Sequence, residues 1–356
     1  MTQKTFCPNG TQHITDAINT AIASGERTAT ISGNWEIDTA IRIPSDFTLV
    51  LDGCHLKLAD GCFSNVFVNE HHDTPIGKTP NGTDRNITIE GKNGAIIDGG
   101  KYNGLSEKIR PKTGWPPIWK NNLILFTNVE NFEISGISFH NQRWWALNFI
   151  YCSYGKLHDI DFKACDIYID KNGNEGHGLV HSSKYEVLVK NADGIDLREG
   201  CHDIIIENIT GFTEDDSIAL TGLRGRMERE FAVEGFSSDI CNITIKNIKT
   251  AAFCANVRLL SQGEVKLHDI SVDGVYDASE NSPHMDRGLY AVRIGDARLY
   301  GERHATNEET YNIKVKNVSS RALIAAVGLA GGMGNVSIEN IECYGDTREI
   351  EDKRGI

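Results

Sequence analysis

Two short acidic runs contain the residues best suited to chemistry: Asn191-Ala192-Asp193-Gly194-Ile195-Asp196 and Asp215-Asp216. Asp193 and Asp215 are 22 residues apart. In a parallel fold that repeats with this period, positions one coil apart stack about 4.8 Å apart along the axis. The carboxylates of Asp193, Asp215 and Asp216 would then meet on one surface patch. Because like charges this close repel, the pKa of at least one should rise, so that this group can hold a proton near neutral pH.

A carboxylic acid beside a carboxylate meets the requirement for cleaving a glycosidic bond with inversion. The acid protonates the leaving oxygen, and a carboxylate roughly 6.5–9.5 Å away activates a water molecule. Two simpler interpretations stay open on spacing alone. Aspartates of this kind are common in turns, and acidic ladders can bind structural Ca²⁺.

A short strand pattern recurs along the chain and provides the repeat that the acidic runs require. Each unit alternates apolar and polar residues and ends in a small turn. Several neighbouring units start 23 to 25 residues apart, and others 46 or 47. Such a period, with alternating apolar residues, indicates a solenoid whose stacked strands share one core. The units begin at Asn86, Asn131, Lys156, Asp203, Asn242, Lys266, Asn312 and Asn335.

This repeat predicts an all-β fold, a right-handed parallel β-helix with a short N-terminal capping helix. Leucine-rich repeats have a similar period, but they need a recurring Leu frame and an Asn ladder, which we do not find in the sequence. A propeller blade would need about 40 or more residues. Apolar residues at helical spacing predict an amphipathic helix near residues 12–24, with Thr11 as N-cap and Gly25 as C-terminal stop.

One β-helix domain is therefore expected over residues 1–356. Its N-terminal cap should cover about 1–30, its coils about 31–345, and a charged C-terminal tail 346–356. The stretches that do not repeat are expected to leave the coils as loops and to carry the binding surface. These stretches are residues 70–85, 101–120, 170–182, 222–238 and 278–308.

Composition restricts the partners. The net charge of −13 argues against nucleic acid, which demands a basic face. No window approaches the about 18 consecutive apolar residues of a membrane span. No secretory signal is visible at the N-terminus, so we expect a cytoplasmic protein, or a secreted one if a signal was removed. The nine cysteines lack metal-type spacing and are expected to be reduced thiols, buried where they lie in or beside strand-like runs. Those are Cys152, Cys165, Cys201, Cys241, Cys254 and Cys343.

Four motifs between residues 86 and 260 occur in a familiar order. They are a glycine-rich segment ending at Gly99, a Trp-containing coil ending at Cys152, the Asn-X-Asp of Asn191–Asp193 and the pair Asp215–Asp216. With them the chain resembles the polygalacturonase family of glycoside hydrolases, whose fold is the pectin-lyase-like β-helix. The resemblance implies that Asp215 is the general acid and that Asp193 and Asp216 hold the attacking water, with Asn191 supporting them. It implies no metal or organic cofactor.

Two motifs depart from that family. Its Gly-His-Gly follows the Asp pair by about twenty residues, and the corresponding region here begins at Gly235 and contains no His. A Gly176-His177-Gly178 precedes Asn191, and we interpret it as a coincidence or a loop residue. The family's Arg-X-Lys appears as Arg258-Leu259-Leu260, so Arg is present and Lys is absent. In the family the Arg and Lys grip the substrate carboxylate, and the His supports the acid.

Other residues are candidates for substrate binding. Arg224, Arg226 and Arg229 could supply a further cationic grip, or they could form a salt-bridged surface loop. If that loop folds over the aspartates, an acidic pectic sugar is expected. If it points away, a neutral glycoside is favoured. Among the tryptophans, Trp145 is the candidate for stacking on a sugar, because strand alternation turns only one of Trp144 and Trp145 outward; Trp115 and Trp119 are further candidates.

The sequence thus predicts a carbohydrate-active enzyme, an inverting glycoside hydrolase acting on a pectic or related plant oligosaccharide or polysaccharide. One alternative is another β-helix carbohydrate enzyme, a polysaccharide lyase or a glycan transferase. A second is a non-catalytic glycan-binding β-helix. The expected partner is a carbohydrate substrate, with no nucleic acid and no membrane.

Overall fold

Parallel strands stacked in two sheets make up most of the structure. The computed structural model describes residues 5–100, 118–120, 122–142, 144–164, 167–169, 175–177, 193–262, 264–282, 287–296 and 303–355. Within these ranges the strands alternate, as the chain advances, between two parallel sheets of ten strands each. Each coil therefore adds one strand to each sheet. The fold is the predicted parallel β-helix.

Within each sheet, the strands lie side by side in the order in which they occur along the chain. The first sheet contains β1 (Thr28–Ile37), β3 (Phe47–Leu58), β5 (Asp84–Asp98), β7 (Val129–His140), β9 (Ser153–Lys163), β13 (His202–Thr213), β15 (Ile240–Ala252), β17 (Leu267–Asp277), β19 (Thr310–Ser320) and β21 (Gly334–Cys343). The second contains β2 (Ile41–Ile43), β4 (Phe67–Asn69), β6 (Ile124–Thr127), β8 (Leu147–Ile150), β12 (Ile195–Leu197), β14 (Ile218–Gly222), β16 (Ala255–Ser261), β18 (Tyr290–Gly295), β20 (Ala325–Ala330) and β22 (Arg348–Lys353). A separate antiparallel pair joins β10 (Ile167–Ile169) to β11 (Glu175–His177).

The core is one buried apolar cluster that draws on both sheets and extends along the chain from Ile14 to Met333. In the second sheet, strand registers stack apolar residues of successive coils, for example Leu220, Leu259 and Ile294. Because side chains alternate across a strand, the residues between them point to the other face. Arg258 of β16 and Arg293 of β18 are register partners on that outer face.

Asparagine ladders run along the first sheet. Asn131 Nδ2 donates to Asn86 Oδ1 at 2.6 Å, and Asn247 Nδ2 donates to Asn208 Oδ1 at 2.7 Å. All four residues have left-handed backbones with φ between 52° and 60°, a conformation that Asn tolerates better than most residues. The expectation that this chain lacks an Asn ladder was therefore wrong.

A helix covers the N-terminal end of the solenoid, as predicted. Helix α1 (Gly10–Ala23) buries Ile14 and Ile18 against the first coils. Gly25 follows with φ 82° and ends it in the left-handed conformation. The predicted N-cap was wrong, because the N-cap is Asn9, which makes no side-chain capping bond. The Thr11 hydroxyl instead donates to Thr39 O at 3.0 Å and so ties the helix to the first coil.

The C-terminal segment differs from the expected charged tail. Residues 348–353 form strand β22, which pairs in parallel with β20. Its side chains are charged, as the sequence shows, but its backbone completes a tenth strand of the second sheet. Charged residues on the last strand of a sheet oppose pairing with another chain.

Loops leave the coils between the two sheets. The excursion at residues 223–239 carries a short helix, α2 (Arg226–Glu230). Short 3₁₀ turns occur at Ile76–Lys78 and Pro80–Gly82, inside the predicted 70–85 loop. Among the described residues, no helix is long and apolar enough to cross a membrane.

The described cysteines are free thiols. Cys152 and Cys201 are buried, as expected. Cys241, Cys254 and Cys343 are only partly buried, so the expectation of burial was too strong for them. Cys165 lies outside the described residues.

Candidate active site

Main-chain hydrogen bonds between neighbouring coils bring Asp193 beside Asp216. The Gly194 N–H donates to Asp216 O and the Ile195 N–H donates to Ser217 O, each at 3.0 Å. The Asp216 N–H in turn donates to Asp193 Oδ1 at 3.0 Å. The Asp193 side chain is therefore directed along the stack towards the next coil.

The following coil places Cys254 against Asp215. The Cys254 N–H donates to Asp215 O at 3.2 Å. The Cys254 Sγ and one carboxylate oxygen from each of Asp215 and Asp216 lie within 4.8 Å of one another. Asp215 is half-buried, whereas Asp193 and Asp216 are only 8% and 9% exposed. Among the three aspartates, Asp215 is therefore the one most accessible to a substrate.

This stacking shows that the region beginning at Gly235, which was compared with the family's Gly-His-Gly, is not the one that stacks on the Asp pair. Counting about twenty residues from the Asp pair leads into the excursion at 223–239, which leaves the coil. The residue that follows Asp215 in space is Cys254, 39 residues later in the chain. A loop inside one coil shifts every later position, and spacing alone cannot detect it.

Burial and mutual repulsion favour protonated carboxyls in this cluster. Burial raises the pKa of Asp216 well above its usual range, and the charges of Asp215 and Asp193 raise it further, although Arg258 and Arg293 oppose the shift. Burial also raises the pKa of the fully buried Asp196, and the Asp193 charge raises it further. The pKa of Asp216 is thus raised, as one member of the cluster was expected to be, but burial contributes more to the rise than the neighbouring charges do.

Two arginines on neighbouring coils lie close to the aspartates. Arg258 is 4% exposed, and its Nη1 donates to Gly295 O at 2.5 Å. Arg293, missed in the sequence, has a side chain 23% exposed. Both guanidinium groups lie near the Asp296 carboxylate, at 3.7 and 3.8 Å. Arg293 is therefore the more accessible cation, and Arg258 acts from a buried position.

A buried ion-pair network lies on the other side of Asp193. Arg198 donates from Nη2 to Asp196 Oδ1 at 2.9 Å and from Nη1 to Glu228 Oε1 of α2 at 2.8 Å. Its guanidinium also stacks 3.9 Å from the Trp145 ring centroid. The predicted sugar-stacking residue thus has a cation over its ring. Trp144 is buried and Trp145 is partly exposed, but strand alternation is not the cause, because both residues precede β8 and Trp144 has a left-handed φ of 68°. The buried Trp119 packs edge-on against Phe231.

Of the loop arginines, Arg224 binds acidic groups outside the aspartate cluster, and Arg229 binds the main chain of the loop. Arg224 Nη1 donates to Glu264 Oε2 at 2.9 Å, and its Nε lies 3.9 Å from Glu199 Oε1. Arg229 Nη1 donates to Arg224 O at 2.5 Å. This is the salt-bridged loop that the sequence left open. The Arg226 backbone belongs to α2, and its side chain is outside the described part of the structure.

Several sequence candidates cannot be placed. Asn191 and Trp115 lie outside the described residues. His177 belongs to β11 in the antiparallel pair, and Gly178 is not described. Arg293 and Arg198 were missed in the sequence, although a pattern in the sequence could have identified each of them. Val292-Arg293 repeats Val257-Arg258 on the next coil, and Asp196-Leu197-Arg198 follows the Asn-X-Asp motif after two intervening residues.

Asp215, Asp216 and Cys254 are the one group of possible metal ligands among the described residues. A thiol in the set does not suit Ca²⁺, which takes oxygen ligands. The open interpretation of an acidic ladder for structural Ca²⁺ therefore has no support from this donor set.

Comparisons with known proteins agree with this architecture. The model of the family described as Glycosyl hydrolases family 28 matches residues 37–230, more than half of the chain. The matched part includes Asp193, Asp215 and Asp216 and ends before Cys254 and Arg258. No curated protein matches this sequence.

Solved structures with the same fold are similar at low identity. A tailspike protein mutant of E. coli bacteriophage HK620 in complex with a pentasaccharide has a TM-score of 0.59 and 14% identity, covering 98% of this chain. This chain spans only 62% of that tailspike chain. The enzyme titled 1,3-alpha-1,4-beta-D-galactose-4-sulfate-3,6-anhydro-D-galactose-2-sulfate 4 galactohydrolase has a TM-score of 0.63 and 15% identity, covering 99% of this chain and 91% of that one.

Proposed function

Because the chain belongs to glycosyl hydrolases family 28, we propose that it cleaves a glycosidic bond of a pectic or related plant oligosaccharide or polysaccharide with inversion. The observation that carries this proposal is the bond from the Asp216 N–H to Asp193 Oδ1, with Asp215 adjacent in sequence. It brings carboxyls of two coils into one cluster, which the two-carboxylate mechanism needs.

The roles follow from exposure and charge. Burial and the neighbouring Asp215 charge raise the pKa of Asp216, so the adjacent pair holds a proton that belongs to both carboxyls. Asp215 is the more exposed member and delivers this proton to the leaving oxygen. Asp193, with Asp216 beside it, holds and activates the attacking water.

Arg224 of the loop is paired outside the aspartate cluster, which by itself would favour a neutral glycoside. Because Arg293 supplies a partly exposed cation that the sequence analysis did not include, we propose instead that the substrate is acidic. The sequence offered Arg258 as the one fixed cation near the aspartates, and Arg224 is engaged with Glu264 instead. Arg293 adds a second cation, which acts on Asp216 and is partly exposed. A uronate carboxylate bound there would gain a charge-assisted hydrogen bond from a guanidinium group.

The first experiment identifies the reaction. The purified protein is incubated with a panel of pectic and other plant glycans, the products are sized, and proton NMR follows the anomeric configuration. We expect hydrolysis of an acidic glycan with inversion. Retention of configuration would contradict the mechanism. Unsaturated products absorbing in the ultraviolet, with sensitivity to chelators, would identify a lyase instead.

The same assay tests the three aspartates. Asp193→Asn, Asp215→Asn and Asp216→Asn should each lower kcat by about 10²–10⁴-fold, the usual contribution of a positioned acid or base. An aspartate whose variant keeps full activity has no part in the mechanism.

Thermal unfolding provides the control for Asp216→Asn. The native pKa of Asp216 lies above its unfolded value of 3.8, so ionisation costs the parent stability as the pH rises above 3.8. The Asn variant should therefore be more stable than the parent at pH 7. The difference should vanish near pH 3. Loss of activity in a more stable protein cannot be attributed to unfolding.

A further inference from the structure

Cys254 is the residue of the next coil that meets the proposed acid. Its N–H donates to Asp215 O at 3.2 Å, which fixes the two residues in adjacent positions of the stack. Its Sγ lies within 4.8 Å of carboxylate oxygens of both Asp215 and Asp216. The thiol is thus directed at the reacting group.

In a hydrogen bond between the Cys254 side chain and Asp215, the thiol would be the donor. Burial raises the pKa of the Cys254 thiol far above its usual range, and the charges of Asp215, Asp216 and Asp193 raise it further. A thiol that stays protonated can donate its S–H, and an ionised carboxylate can only accept. A hydrogen bond between them would therefore run from Cys254 Sγ–H to Asp215.

We propose that Cys254 is a positioning residue for Asp215: its S–H holds the carboxyl in the orientation that reaches the leaving oxygen and stabilises its ionised form after proton transfer. The inference rests on the proposed function, in which Asp215 is the general acid. In the polygalacturonase family, which this chain resembles, a His supports the general acid. Here the uncharged thiol of Cys254 would give that support. Arg258 and Arg293 complete the charged surroundings, acting on Asp216 from the outer face of the sheet.

A matched pair of variants tests this role. Cys254→Ser keeps a donor of similar size, and Cys254→Ala removes it. We expect Ala to lower kcat about fivefold to tenfold, consistent with the loss of one hydrogen bond, with KM changed less than twofold. Without the donor, the Asp215 carboxylate is less stabilised, so the alkaline limb of the kcat profile should move to higher pH. Ser should restore most of kcat and the parent pH profile.

The order of the two variants separates this role from simple packing. If Cys254 only fills space, Ala should be as active as the parent, and Ser, which places a hydroxyl in a partly apolar site, should be the worse variant. That result would overturn the proposal. Thermal unfolding of both variants shows whether either loss reflects instability.

The role of Cys254 can be tested separately from the role of Asp215 as general acid. If Asp215→Asn is inactive while Cys254→Ala keeps the parent kcat and pH profile, only the role of Cys254 is wrong. If Asp215→Asn is fully active, the assignment of the acid is wrong, and the Cys254 inference fails with it.

Discussion

At the scale of single residues, Arg258 and Arg293 are similar side chains that have different roles because they are buried to different extents. They are register partners on neighbouring strands and share Asp296, but Arg258 is 4% exposed and the Arg293 side chain 23%. A buried guanidinium group can lower the pKa of a carboxyl without touching substrate. A partly exposed one can bind a substrate carboxylate. The two should therefore affect different kinetic constants.

This difference leads to a prediction on substrate charge. Arg293→Gln should raise KM about tenfold for an acidic pectic oligosaccharide, the loss expected for one charge-assisted hydrogen bond. It should lower kcat less than Arg258→Gln does, because Arg293 has the smaller effect on the pKa of Asp216. Arg258→Gln should mainly lower kcat, because it removes a cation that acts on Asp216. Steady-state kinetics on the acidic substrate and on a neutral analogue distinguish the two.

Arg224→Gln is the matched control for this series. Arg224 is half exposed and paired with Glu264, so its loss should leave KM within twofold of the parent. A steep rise in KM for acidic substrates in Arg224→Gln would show that the loop, and not Arg293, grips the sugar.

At the scale of the elements, the asparagine ladders fix the bends of the first sheet. Asn317 Nδ2 donates to Asp273 Oδ1 at 2.7 Å, and Asn340 Nδ2 donates to Asn317 Oδ1 at 3.1 Å. Asn317 has a φ of 57°, a left-handed conformation that few residues other than Gly and Asn adopt at low cost. Each ladder residue thus combines a backbone requirement with hydrogen bonds to two coils.

The two contributions of Asn317 can be separated by mutation. Asn317→Ala should lower the free energy of unfolding by about 1–3 kcal/mol, since it loses the hydrogen bonds and must hold Ala in the left-handed region. Asn317→Gly removes the same bonds but relieves the backbone, so its loss should be smaller. Chemical denaturation measures both. Equal losses for Ala and Gly would mean that the backbone conformation contributes little.

The excursion at 223–239 is held to the coils through charged residues. Arg198 reaches from the end of β12 to Glu228 of α2, and Lys78 reaches from another loop to Glu230 at 2.9 Å. Arg198 and Glu228 are buried, whereas Lys78 and Glu230 are partly exposed. Removing one partner of a buried pair leaves an uncompensated charge, so the Arg198 contact matters more for the position of α2.

At the scale of the whole molecule, a solenoid must close the ends of its core. Helix α1 does so at the N-terminal end, with Ile14 fully buried in the common core and Ile22 37% exposed. Gly10 allows the close approach of this helix, because a Cβ there would lie 2.6 Å from Glu36 O. The cap is therefore packed against the first coil.

Two isoleucines of the cap test this packing. Ile14→Ala should lower the free energy of unfolding by about 2–5 kcal/mol through the cavity that it leaves. Ile22→Ala, in the same helix but largely exposed, should change it by less than about 1 kcal/mol. Thermal or chemical unfolding measures both. Similar effects of the two variants would show that the helix does not pack on the solenoid end.

The amino-acid sequence by itself determined the repeat, the parallel β-helix, the capping helix and the proximity of Asp193 to the Asp215–Asp216 pair, although the strand register of 23 residues stacks Asp193 on Asp216 and not on Asp215. These properties depend on local periodicity and on a spacing of one coil, both of which can be counted along the chain. The Asn ladder could also have been found, because most units of the repeat begin with Asn. It was missed because the repeat was compared only with the Leu frame of leucine-rich repeats.

Only the tertiary structure decided which residues surround the aspartates. The excursion at 223–239 lengthens one coil, so Cys254 stacks on Asp215 although 39 residues separate them. Arg258 is more deeply buried than Arg293, and Arg224 is paired with Glu264. Strand β22 completes a sheet through backbone bonds that its charged side chains do not reveal. Loop lengths, burial and long-range pairing arise from the packed coils, and for that reason spacing along the chain could not specify them.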